Sequence, residues 1–100
     1  MRVVWTLLAV ERAYEAAEYI ARDKPQAALT WLEGLFDATG VLADFPQSGR
    51  IVPEIGLPEY REIVYRKSYR VVYNVDKSTV SILTVRNFAQ LLDRAELALD

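Results

Sequence analysis

The sequence contains no cysteine and no histidine. Without cysteine there is no disulfide framework, which fits a reducing compartment without establishing one. Without either residue there is no Ser-His-Asp or Cys-His arrangement, and a zinc site would have to be built from carboxylates alone. Glycine is scarce as well. The four glycines, at 34, 40, 49 and 56, are too scattered to form a phosphate-cradling loop. No apolar run approaches the ~20 residues of a membrane span. The N-terminal run VVWTLLAV passes directly into ERAYEAAEY with no small-residue cleavage site, so it is read as structure rather than as a leader, in a chain expected to be cytoplasmic. Basic charge is not in excess: 12 basic residues against 14 acidic ones give a net charge of −2, with a pI of about 5.1. Broad nucleic-acid binding usually shows as a basic domain, so none is expected here.

What the sequence does supply is apolar material. Hydrophobic residues make up 52% of 100 positions and aromatics 11%, enough for one core and one domain over residues 1–100. RVVWT reads as a short strand, and Thr6 as the N-cap of a helix beginning near Leu7. Val10, Ala13, Ala17 and Ile20 recur at helical spacing, with Glu11, Arg12, Glu15, Glu18 and Arg22 on the opposite face. RDKP interrupts, and Pro25 suits the first position of a second helix, because its missing N–H would be unpaired there anyway. Ala28, Leu32, Leu35, Thr39 and Leu42 carry that helix to about Ala43, with Leu29 and Phe36 widening the stripe. The short connection predicts an antiparallel helical hairpin.

After Tyr60 the period changes to two. YREIVY, YRVVYNV and TVSILTV predict three strands joined by the short links RKS and DKS, an antiparallel meander. Leu91, Leu92, Ala95 and Leu99 suggest a short terminal helix. The order β-α-α-β-β-β-(α) is α+β, with the helical hairpin packed on one face of a small, four-stranded antiparallel sheet and the other face open. Tyr69, Val71, Tyr73 and Val75 should face the helices. Trp5 and Trp31 should lie in the core.

Between the two patterns lies FPQSGRIVPEIGLPEYRE, residues 45–62, with three of the four prolines and two of the four glycines. Phe45 and Pro46 are expected to end the second helix and anchor the loop in the core. Gly49, Arg50, Pro53 and Glu54 are expected to shape the loop, with Arg50 and Glu54 pairing locally. Arg61 should then enter the sheet beside Arg70. Neither side of the strands is cleanly polar, and a sheet face that mixes arginine with apolar side chains usually meets a partner. The candidate partner-binding residues are Arg61, Ile63, Arg66, Lys67, Arg70, Val72 and Arg86. No catalytic set, metal site or cofactor site is assigned.

The pieces Trp5-Thr6, YIARDKPQAA (19–28), FPQSGRIVPE (45–54), YREI (60–63), YRVVY (69–73) and ILTV (82–85) keep an order and spacing that resembles the ParE branch of the RelE/ParE toxins of bacterial type II toxin–antitoxin systems. The likeness covers nearly the whole chain. It implies two helices on an antiparallel sheet and a cognate, ParD-like antitoxin in a hetero-oligomer. For RelE-like members it implies ribosome-dependent mRNA cleavage, and for ParE-like members poisoning of DNA gyrase by protein–protein contact. A toxin-like fold serving only as an antitoxin-binding module is a third option. By the same resemblance this chain departs from the nuclease pattern. Arg70 and Arg61 are kept, but Ile63 stands where a lysine is expected and Gln90 where an arginine is expected. No tyrosine follows Tyr73. A nuclease using 2′-OH attack needs groups to move protons and stabilise phosphate charge, and most of that set is missing.

Overall fold

The structure, a computed structural model, describes residues 1–97. Strand β1 (Arg2–Trp5) leads through Thr6 into helix α1 (Leu7–Ala21). Helix α2 (Pro25–Gly40) follows with Pro25 in its first turn, and a 3₁₀ turn (Val41–Ala43) extends it. Strands β2 (Arg50–Ile51), β3 (Tyr60–Tyr65), β4 (Tyr69–Val75) and β5 (Thr79–Asn87) complete the sheet.

The α+β class and the element order are as expected, but the sheet has five strands and is mixed. The order is β1-β5-β4-β3-β2, with β1 parallel to β5 and every other pair antiparallel. Two causes account for the difference. A strand followed by a two-helix crossover can rejoin the sheet parallel to a later strand, which a meander pattern does not reveal. The second is β2, which consists of only two residues hidden in the punctuated stretch, pairing Arg50 with Glu62 and Ile51 with Arg61.

Thr6 ties the first strand to the sheet. Its hydroxyl accepts from the Ala9 N–H at 3.1 Å, capping α1, and donates to the Ile82 carbonyl at 2.9 Å. The acceptor lies at a β-bulge: Val72 pairs with Thr84 but Tyr73 pairs with Ile82, leaving Leu83 as the extra residue of β5. Leu83 and Thr84 therefore share one face although they are consecutive.

The helices cover the other face. Ala9, Ala13 and Ala17 line α1 at four-residue steps, and their small size brings α1 close to Val80, Ile82 and Val85. From α2 come Ala28, Trp31 and Leu35; from the sheet, Tyr65, Val71 and Tyr73. Each fully buried aliphatic side chain there contributes about 1.5–3 kcal/mol of transfer free energy. Trp31 lies in the core as expected, its ring against Tyr65 and Tyr69. Phe45, expected to anchor the loop in the core, is 63% exposed. The anchor is Tyr73, whose hydroxyl donates to the Pro46 carbonyl and accepts from the Gly49 N–H.

The second face is not open. A small core of Val52, Val72, Leu83 and Leu97 covers it, with Ile55, Tyr60 and Leu92 packed alongside. Val52 arrives on the loop after β2 and Leu97 on a 3₁₀ turn, Arg94–Leu97. The expected terminal helix is thus replaced, within the described residues, by that turn; Leu99 lies outside them. Asp93 bonds the Ala95 N–H through its side chain and the Glu96 N–H through its carbonyl, which sets the tight turn.

Gly49 sits where the loop touches the sheet. A Cβ there would lie 2.6 Å from the Glu62 carbonyl oxygen and 2.6 Å from the Tyr73 hydroxyl. Gly49→Ala is expected to cost about 1–3 kcal/mol through overpacking, measured as a lowered midpoint of urea unfolding.

Candidate functional site

Strand alternation sorts the candidate residues. On β3, Arg61 and Ile63 share the helix side with Tyr65, whereas Glu62 and Val64 share the second face with Arg70 and Val72 of β4. Arg61 therefore does not lie beside Arg70 but on the opposite face, because the two occupy positions of opposite parity in the paired strands. Its guanidinium donates to the Gly49 carbonyl at 3.0 Å. Ile63 packs against the main core, and Val72 is fully buried in the second one. Arg66 and Lys67 form the exposed β3–β4 turn.

The second face carries two charge clusters. In the first, the Glu62 side chain is completely buried. One of its oxygens accepts from Arg70 Nε at 2.8 Å, the other from Arg50 Nε at 2.6 Å. Arg70 also makes a fork-to-fork pair with Glu54, at 2.6 and 2.7 Å. The loop is held by charge, as expected, but with partners exchanged. Arg50 pairs with Glu62 and Glu54 with Arg70, because β2 pairs in register with β3 and places Arg50 opposite Glu62. The Glu54 bonds, with Glu62 behind them, hold the Arg70 guanidinium firmly charged, its pKa well above the ordinary value. In return Arg70 pulls the Glu54 carboxyl below its usual range. Pro53 stands in this loop between Val52, at the second core, and Glu54.

The second cluster centres on Glu96. Its carboxylate accepts from Arg12 Nε and Arg86 Nε, both at 2.8 Å, and from the Thr84 hydroxyl at 3.2 Å. Burial alone would raise this carboxyl's pKa, but the bonds from Arg12 and Arg86 outweigh it and leave it below the usual value. Arg70 and Arg86 are direct cross-strand neighbours on β4 and β5, and each is neutralised from its own side. All three nitrogens of Arg70 donate to carboxylates, so it cannot take a phosphate without breaking a pair and leaving buried Glu62 or Glu54 short of a partner, which costs several kcal/mol. The two clusters thus close the second face.

Sequence reasoning passed over Glu62, Glu96 and Arg12. Glu62 had a signal, a carboxylate in a strand interior at the parity that shares a face with Arg70. Glu96 had none, since it meets Arg12 across 84 positions of sequence.

Removing Glu62 leaves Arg70 buried with half its partners, so Glu62→Ala is expected to lower the unfolding free energy by about 3–5 kcal/mol. In a Glu62→Leu/Arg70→Met cycle, the double variant should be more stable than the sum of the single losses, as measured by denaturant titration. The Glu96 carboxyl has a lowered folded-state pKa. Its stabilisation is therefore present above the unfolded-state value and fades as pH falls through the folded one. The stability gap between wild type and Glu96→Gln should be widest near neutrality and narrow as pH falls through and below the ordinary carboxylate range, followed by urea unfolding across pH.

The family model described as "ParE toxin of type II toxin-antitoxin system, parDE" matches residues 3–92. A Sinorhizobium fredii protein described as a toxin, Y4kP, is 34% identical over 90 residues, spanning 89% of this chain and 90% of its own. Toxin RelE2 of Caulobacter vibrioides is 31% identical over 90 residues, spanning 90% of this chain and 98% of its own. A solved structure of a chromosomal ParDE TA system from P. aeruginosa superposes with a TM-score of 0.74 at 17% identity, covering 87% of this chain and 95% of that one; at that identity it speaks for the fold. With a family model spanning nearly the whole chain and two full-length relatives above 30% identity, the chain belongs to the ParE toxin family of type II toxin–antitoxin systems.

Proposed function

We propose that this chain is the toxin of a type II pair that arrests growth by binding DNA gyrase in the cytoplasm, and that a cognate ParD-like antitoxin neutralises it in a hetero-oligomer. The observation that carries the choice of target is the state of Arg70. It is the arginine kept from the nuclease pattern, yet Glu54 and Glu62 occupy its donors. Arg86 is likewise held by Glu96. A ribonuclease site on the second face would need those cations facing solvent. A protein that acts by contact needs only a stable surface. Of the candidate partner-binding residues, Arg66 and Lys67 remain exposed and outside any ion pair among the described residues.

The competing reading is mRNA cleavage on the ribosome, favoured by the relative named RelE2. Purified toxin is expected to inhibit supercoiling by gyrase and to accumulate cleaved DNA–gyrase complexes, while primer extension on translated message shows no new cuts. Message cleavage with normal supercoiling would establish the competing reading instead. Induced expression without growth arrest would point to a non-toxic antitoxin-binding module.

A further inference from the structure

The sheet has two edges, β1 and β2, and they are built differently. Natural proteins blunt exposed edges with short strands, charge or proline, because the outward N–H and C=O groups are a template for another chain. The β2 edge follows that rule: it spans only Arg50–Ile51, opens on a charge and is followed closely by Pro53. The β1 edge does not. Arg2 and Thr6 donate their N–H groups inward, to the Ser78 and Ile82 carbonyls. Backbone groups alternate along a strand, so Arg2, Val4 and Thr6 turn to β5, while Val3 and Trp5 turn their N–H and C=O groups outward. None of these outward groups has a backbone partner among the described residues.

The side chains around this edge are apolar and exposed. Val4 stands out from the strand, and Leu7, at the start of α1, is 75% exposed. Met1, Phe36 and Val41 are exposed as well. They flank the strand at both ends. Phe36 packs on Trp5 with ring centroids 4.9 Å apart. At the other end the Met1 ammonium donates to the Ala43 carbonyl at 2.7 Å, beside the turn Val41–Ala43. Apolar side chains rimming a bare sheet edge mark a contact surface.

We propose that β1 pairs antiparallel with β1 of a second copy of this chain, across a two-fold axis at Val4, so that two sheets become one. In that register Val3 and the second copy's Trp5 exchange both of their hydrogen bonds, and symmetry repeats the exchange. Every outward group of both strands is then satisfied. Moving the axis to Val3 or to Trp5 breaks this match. It would send Trp5 to Met1, whose nitrogen is held by Ala43, or Val3 to Leu7, which is already helical. With the axis at Val4, the two Val4 side chains meet as a non-hydrogen-bonded pair, the closer kind. Met1 falls opposite Leu7. Arg2, the one charged side chain of the strand, falls opposite Thr6, so no like charge faces it. This self-match favours a second copy over an unrelated strand, since a two-fold contact requires one patch to complement itself. The pairing does not depend on which target the toxin acts on.

The test uses the full chain without antitoxin, in a concentration series followed by sedimentation velocity. The mass should rise from 11.4 kDa to twice that value and stop there. Over the same range the Val3 and Trp5 N–H groups should become protected from hydrogen exchange. Val4→Lys, at an exposed position, sets two ammonium groups opposite each other. It should raise the dissociation constant roughly tenfold or more with an unchanged circular dichroism spectrum. Leu7→Lys, which faces the second copy's Met1 ammonium, provides another variant if the first perturbs folding. A chain that stays monomeric throughout, assembly that continues past two copies, or a dimer indifferent to both variants would each overturn the proposal. So would Val3 and Trp5 protection that appears only when antitoxin is added to a monomeric toxin, which would assign the edge to the antitoxin.

Discussion

A single buried carboxylate organises the sheet side of this toxin. Glu62 is withdrawn from water in the middle of β3, and both of its oxygens are claimed by arginines that come from different elements. Arg50 reaches it from β2 and Arg70 from β4, so one side chain holds three strands in register. Glu54 then closes the chain of charges by binding Arg70 from the loop. Taking such a charge into the interior is expensive, and the expense is recovered only with all partners in place. The punctuated loop, the short edge strand and the second small core are positioned by that requirement.

The same requirement separates two kinds of cation. Those over the second face are consumed by the fold, each held by a carboxylate. Those at the two turns on the opposite side, Arg22, Lys24, Arg66 and Lys67, make no ion pair among the described residues. A count of basic residues along residues 50–70 cannot make that distinction, because it turns on whether a carboxylate lies within hydrogen-bond reach in space. Arg70, held by Glu54 and Glu62, is architecture first.

Much of the fold could be read from the sequence where period and punctuation agree. Thr6 and Pro25 start their helices as their chemistry dictates, and the alternation of Tyr69, Val71 and Tyr73 correctly identifies the face turned to the helices. Apart from Arg61, misplaced by strand parity, and the 3₁₀ turn that stands for the expected terminal helix, the misread parts depend on contacts far apart in sequence. The parallel pairing of β1 with β5, the exchanged partners of Arg50 and Glu54, and the capture of Arg12 by Glu96 all join segments that no local pattern links. Phe45 shows the converse. An aromatic next to proline reads locally as an anchor, yet the phenol of Tyr73, arriving from β4, does the anchoring.

The place of β5 has a consequence for how the molecule comes apart. It is a late strand in sequence, yet it lies between β1, the first, and β4. Neither the N-terminal strand with its helices nor the β3–β4 hairpin contains a complete sheet without it. A protease that cuts near β5, or a fluctuation that frees it, therefore leaves no half of the toxin able to stand as an independent unit. Such a domain passes from folded to unfolded in one step, and its activity should be lost in that same step.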